Sequence, residues 1–133
     1  MQRRFYTISE ANAVIPEIRK QVLKIMKLNK VLEMLESIEV IQQDDHEHLL
    51  TVAKMNKHYH KLCYDFHREI ESLAKKGALL RDVDVGLVDL YSLYNGKEIM
   101  LCWKIDEERI QHWHELEDEF TDRRHVKELK KRI

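Results

Sequence analysis

Residues 86–105, "GLVDLYSLYNGKEIMLCWKI", alternate between the two sides of an extended chain and carry Asn95-Gly96 at their midpoint. Asn-Gly between two alternating apolar runs predicts a β-hairpin, because both turn residues must take positive φ, which Asn and Gly tolerate. A two-residue turn at this point pairs positions whose numbers sum to 191. Side-chain direction has a period of two along a strand, so this register assigns every residue to a face. One face collects Val88, Leu90, Ile99, Leu101 and Trp103, an apolar set suited to packing on helices. The other places Asp89 opposite Cys102, with Lys104 diagonal to it. A lone two-stranded hairpin is marginal, so this one needs a helical layer or another chain's strands.

The remaining sequence reads as that helical layer. Three Gly and one Pro among 133 residues are few, which predicts long helices and few turns. Thr7-Ile8-Ser9-Glu10 has the form of a capping box. Behind it, Ile15, Ile18, Val22, Ile25, Leu32 and Leu35 recur at spacings of mostly three and four, a helical stripe. Pro16 lies too deep for a first-turn proline and predicts a short opening helix with a kink or restart behind it. Leu23, Met26, Val31 and Met34 lie off the main stripe, as in a helix that touches two partners. Asp44-x-x-Glu47 offers a second capping box, and the stripe Val52, Met55, Tyr59, Leu62, Phe66 and Leu73 ends at Gly77. Two helices of about 30 residues with a short connection form an antiparallel hairpin.

Beyond the β-hairpin, Ile110, Trp113, Leu116 and Phe120 return to helical spacing. The expected fold class is therefore α+β, mainly α, in one domain over residues 1–133. It comprises a helical hairpin at 8–77, a β-hairpin at 86–105 and a C-terminal helical segment at 106–133.

Bulk charge excludes some function classes. The chain has 23 basic and 24 acidic side chains and a pI near 6.7, so no global field favours nucleic acid or an anionic membrane. Two cysteines, Cys63 and Cys102, make no disulfide framework and suit a reducing compartment. The N-terminus lacks an apolar signal core, and no run approaches the roughly 18 apolar residues of a membrane span. The expectation is a soluble cytoplasmic protein.

Several stretches together resemble one family. They are "FYTISEANAVIPEIR", "KGALLRDVDVGLVD", "LCWKIDEERIQHWHE" and "EFTDRR", in this order and spacing over nearly the whole chain. The chain resembles a family of small prokaryotic proteins known as the domain of unknown function 2203. The resemblance implies that Phe5, Thr7, Glu10 to Asn12 and Pro16, then Gly86 to Asp89, Leu101 to Trp103, Glu107, Trp113, His114, Phe120 and Arg123 occupy the family's motif positions. It implies no particular reaction. The sequence departs from the family pattern at Asp106, Glu119 and Asp122, where members tend to have Gly.

Four constellations carry potential chemistry. His112 and His114 share a face only on a strand. On a helix, the stripe becomes Glu107, Gln111, His114 and Asp118, of which His114, Asp118 and Glu107 are candidate ligands for a divalent metal. The alternative is a histidine satisfied by a neighbouring carboxylate beside Trp113. His60, Cys63 and His67, with His58 and the Asp45/His46/His48 cluster, form a histidine-rich helix that offers a loose zinc site or a solvated face. Asp89 beside Cys102 raises the thiol pKa, the opposite of what a nucleophile needs. Asp89 is therefore expected to pair with Lys104 or Arg123, or to bond across the hairpin. The basic tail, Arg123, Arg124, Lys127, Lys130, Lys131 and Arg132, is read as solvated rather than as a nucleic-acid patch.

The function expected first is a non-enzymatic interaction or assembly domain that forms a homodimer through its helices. The alternative is a metal-dependent or small-molecule-binding enzyme near His114 and Asp89, with a divalent metal as its cofactor. Asp89, Glu107, His114 and Arg123 are its candidate catalytic residues, and an enzyme should gather them around a pocket.

Overall fold

The computed structural model describes residues 4–36, 46–117 and 123–130. Two long helices, α1 (Ile8–Glu36) and α2 (His46–Lys75), precede five strands. These are β1 (Ala78–Asp82), β2 (Leu87–Tyr94), β3 (Lys97–Lys104), β4 (His112–Glu115) and β5 (Arg124–His125), followed by a single helical turn, α3 (Lys127–Lys130). The strands form one antiparallel sheet in the order β1-β2-β3-β4-β5. No described helix is long and apolar enough to cross a membrane.

Helix α1 opens with a complete capping box: the Thr7 N–H donates to Glu10 Oε1 at 3.0 Å, and the Glu10 N–H donates to Thr7 Oγ1 at 3.1 Å. The expected restart at Pro16 does not occur: α1 is one continuous helix with the proline inside it. Buried Ala11 and Ile15 before the proline, and Ile18, Val22 and Ile25 after it, hold both halves against one core. Burying each large side chain is worth about 1.5–3 kcal/mol, against about 3 kcal/mol for an interior proline. The contacts on either side therefore outweigh the lost backbone bond. Helix α2 returns antiparallel, with Lys24 bonded to Glu69 at 2.9 Å, Lys76 to Glu17 at 2.8 Å and Tyr59 to Glu36 at 2.7 Å.

In the sheet, Asn95 and Gly96 take φ of 51° and 77°, the positive pair that a tight hairpin turn requires. Strands β2 and β3 pair in the register Val88↔Trp103, Asp89↔Cys102 and Leu90↔Leu101. Val88, Leu90, Ile99, Leu101 and Trp103 face the helices and join Ile15, Ile18, Val22 and Ile25 in one buried cluster. The segment before α1 continues β1's side of the sheet: the Tyr6 N–H donates to the Tyr91 carbonyl at 2.8 Å.

The mainly-α expectation with a terminal helix is wrong. The sheet has five strands rather than a hairpin's two, and residues 106–133 form no long helix among those described. After a turn they supply β4, whose Trp113 pairs with Leu101 and His114 with Met100, and then the short β5. Strand β3 would otherwise present an unpaired edge, and β4 satisfies its backbone groups. Ile110 and Trp113 are buried as the helical reading required, but Leu116 is 42% exposed. Phe120 lies outside the described residues. Spacing of three between two buried residues fits a helix or an irregular approach to a strand, and the open edge decides between them.

Two substitutions test these local determinants. Thr7→Ala removes the reciprocal cap and should lower the Tm by roughly 2–5 °C, read by circular dichroism. Gly86 has φ +65°, and a Cβ there would lie 2.8 Å from Ile105 Cβ. Gly86→Ala should therefore cost more than about 1 kcal/mol in urea unfolding; an unchanged midpoint would show that the turn relaxes freely.

Candidate functional site

Strand alternation sends the ionisable residues to the sheet face opposite the helices. There β2 contributes Asp89, β3 Cys102, and β4 His112 and His114. Asp89, Cys102 and His114 are 3%, 1% and 4% exposed, although each can carry charge. Burying ionisable groups is costly unless each has a partner, so their bonding defines the site.

His114 Nε2 lies 3.0 Å from Asp89 Oδ2, and its Nδ1 lies 2.7 Å from the Glu115 carbonyl oxygen. A carbonyl oxygen only accepts, so Nδ1 donates to Glu115 and Nε2 faces the carboxyl of Asp89. The hydrogen bond to Asp89 accordingly raises the His114 pKa against the opposing effect of burial. Arg81 Nε donates to the same Asp89 oxygen at 3.0 Å. Arg81 is the extra residue where the β1–β2 register shifts between Leu80 and Asp82, a bulge of the kind that re-aims a side chain. Its side chain is 48% exposed and connects the buried carboxylate to solvent.

A second group centres on Glu107 in the β3–β4 turn. Its Oε1 accepts from Arg123 Nη2 at 2.8 Å and from the Lys104 N–H at 3.0 Å. His112 Nδ1 lies 3.5 Å from Glu107 Oε2, and burial holds its ring below the ordinary histidine pKa, with Arg123 adding to this and Glu107 opposing it. The Glu107 carbonyl accepts from Arg19 Nη2 of α1 at 2.6 Å and from Trp103 Nε1 at 2.8 Å. One residue thus ties α1, β3 and the chain entering β5 together.

Cys102 is influenced by both groups. Burial, and then the Asp89 charge, pushes its thiol up to about 12, with Arg123 opposing. A neutral thiol of this kind is no nucleophile. Its sulfur is, however, one of three potential ligand atoms, from Asp89, Cys102 and His114, that all lie within 4.8 Å of one another. Asp89 Oδ1 is buried with no hydrogen-bond partner among the described residues.

The structure therefore brings together Asp89, Glu107, His114 and Arg123, as two bonded pairs around Cys102. The helical trio of His114, Asp118 and Glu107 does not form: residues 112–115 are a strand, Glu107 bonds Arg123, and Asp118 lies outside the described residues. Asp89 pairs with Arg81 and His114 rather than with Lys104 or Arg123. Arg81 was missed by sequence reasoning, although the short run "ALLRD" between Gly77 and Gly86 has the length and apolar start of a strand. Cys102 has no histidine or cysteine close to it in sequence at metal-ligand spacing, and its place beside two other ligand types comes from the register of three strands.

The other constellations gather less. On α2, His58, His60 and His67 are exposed and Cys63 is half-buried; among the described residues they form no three-ligand cluster. Asp45 and the side chains of His46 and His48 lie outside the described residues. In the basic tail, Arg124 sits over the Trp113 ring at 5.3 Å and Lys127 is exposed, while the Lys130 side chain, Lys131 and Arg132 lie outside the described residues.

No curated protein and no solved structure matches the chain significantly. The family described as "Uncharacterized conserved protein (DUF2203)" matches residues 4–126, a span that contains the helical hairpin, the whole sheet and every residue of the outer-face cluster. The chain belongs to the DUF2203 family.

Proposed function

We propose that this protein is a metal-binding domain in which Asp89, Cys102 and His114 hold one divalent transition ion. The carrying observation is that three ligand types on three adjacent strands are buried with their ligand atoms within 4.8 Å. One oxygen, one sulfur and one nitrogen suit zinc-like ions rather than magnesium or calcium, which prefer all-oxygen shells. Donation from His114 Nδ1 to the Glu115 carbonyl would orient the ring and leave Nε2 as the ligand atom. Binding would release the protons of Cys102 Sγ and His114 Nε2. Each proton released offsets one charge of the incoming ion, which limits the change in charge beside Arg81, Glu107 and Arg123. Three protein ligands leave a fourth position for water or a substrate atom, which supports metal-dependent chemistry over a closed structural site. Both cysteines are free, and a thiol ligand of this kind suits a cytoplasmic setting.

The purified protein should bind one equivalent of Co²⁺ with a thiolate-to-cobalt absorption in the near ultraviolet. That band should vanish in Cys102→Ser and weaken strongly in Asp89→Asn, with circular dichroism showing both variants folded. Absence of the band in the folded wild type, or its persistence in Cys102→Ser, would sink the metal reading.

A second reading, a homodimer formed through the helical hairpin, is favoured by apolar side chains left outward on α1. Leu23 and Met34 are 51% and 67% exposed, and their separation of eleven residues places them on one face. Native mass should give a dimer that Leu23→Glu with Met34→Glu converts to a monomer. A monomeric wild type contradicts this reading.

A further inference from the structure

We propose that the ion of the outer-face site is copper and that Met100 selects it, its thioether standing beside Asp89, Cys102 and His114 as a fourth, weak ligand. This rests on the metal reading above and narrows it to one element. Asp89 on β2 and His114 on β4 are separated by the whole of β3, roughly 9–10 Å at two strand spacings. Their side chains nevertheless meet, with Nε2 3.0 Å from Oδ2. Each therefore leans inward, and the contact lies above β3. Asp89 is paired with Cys102, and His114 with Met100. Met100 and Cys102 are two residues apart on one strand, so both side chains rise from the same face. The Asp89–His114 contact thus runs diagonally between two sulfur-bearing side chains. One of them, Cys102 Sγ, lies within 4.8 Å of both ligand atoms. Met100 holds the corresponding place on the other side, directly opposite the histidine, where cross-strand Cβ atoms are about 4.5–5.5 Å apart.

Met100 is not a core residue. Its neighbours on β3, Ile99 and Leu101, point to the helices and join the core cluster; Met100 does not, although it is 0% exposed. It is buried in the layer of the ionisable cluster instead, between His114 and Tyr91 of the flanking strands. Leucine or isoleucine would serve an apolar role there with better-defined rotamers, whereas methionine adds a soft, adaptable donor. With the thioether included, the donor set becomes one oxygen, one nitrogen and two sulfurs. Cu²⁺ heads the divalent series at mixed sites of this kind, and Cu⁺ is the state that thiolate and thioether ligands favour. The second sulfur thereby separates copper from zinc and cobalt. A thioether binds weakly and at long range, so it biases the choice of ion without closing the position left for water or a substrate atom.

The probe is Cu⁺, delivered without oxygen against the chromophoric chelator bicinchoninate so that the thiol stays reduced. The wild type should take one equivalent and retain it beside equimolar Zn²⁺. X-ray absorption at the copper edge should find two sulfur neighbours, a readout that needs no variant. Met100→Leu changes the side-chain volume little and should keep the circular dichroism and the Co²⁺ band of the wild type. Its Cu⁺ affinity should fall by roughly tenfold or more. A single sulfur at the copper edge of the wild type, or a Met100→Leu variant that binds Cu⁺ as tightly, overturns the role given to Met100. So does an equal loss of Co²⁺ and Cu⁺ binding, which is what a packing role alone would give. A wild type with the Co²⁺ band but no Cu⁺ binding overturns the choice of copper and leaves the three-ligand reading standing. A wild type with neither overturns both.

Discussion

The pairing of β2 with β3 through Asn95-Gly96 governs everything that follows in this fold. With a side-chain period of two, that single register sends Val88, Leu90, Ile99, Leu101 and Trp103 to the helices and Asp89 and Cys102 away from them. A slip of one residue would bury the carboxylate in the apolar core and turn Trp103 outward. Strand β4 inherits the same division, since pairing with β3 sets Trp113 on the core side and His114 on the other. The placement of the outer-face cluster is therefore a consequence of one turn.

Glu107 holds the two faces in step. Its carbonyl accepts from Arg19 on α1 and from the Trp103 indole, while its carboxylate accepts from Arg123 before β5. The β3–β4 turn is thereby anchored to the helical layer on one side and to the ionisable cluster on the other. That cluster is a poor device for stability alone, because buried ion pairs are often matched or bettered by apolar residues of similar volume. Asp89, shared by His114 and Arg81, is the group on which the proposed metal site is centred.

What was legible in the sequence was local. The capping box at Thr7 and Glu10, the stripe from Ile15 to Ile25, and the alternation around Asn95-Gly96 each depend on residues close in the chain. The errors share a different cause. Pro16 predicts a kink or restart if the helix is considered alone, and α1 does not restart because the core grips both sides of it. The stretch from Ile110 to Leu116 has spacing compatible with a helix, yet β3 offers an edge that only the assembled sheet reveals. The short β1 has too few residues to show a period, and its bulge places Arg81 beside Asp89 in a way no spacing encodes.

By itself the sequence determined the elements whose hydrogen bonds close within a few residues, and which face of the central hairpin is apolar. It also brought forward Asp89, Glu107, His114 and Arg123, because ionisable residues interrupting apolar patterns stand out. Only the tertiary structure decided their partners. Distances between β1, β2, β3 and β4 are set by interstrand hydrogen bonds over separations of 8 to 25 residues between bonded side chains. Which acid meets which base is therefore a property of strand order and edge pairing, and a one-dimensional pattern holds neither.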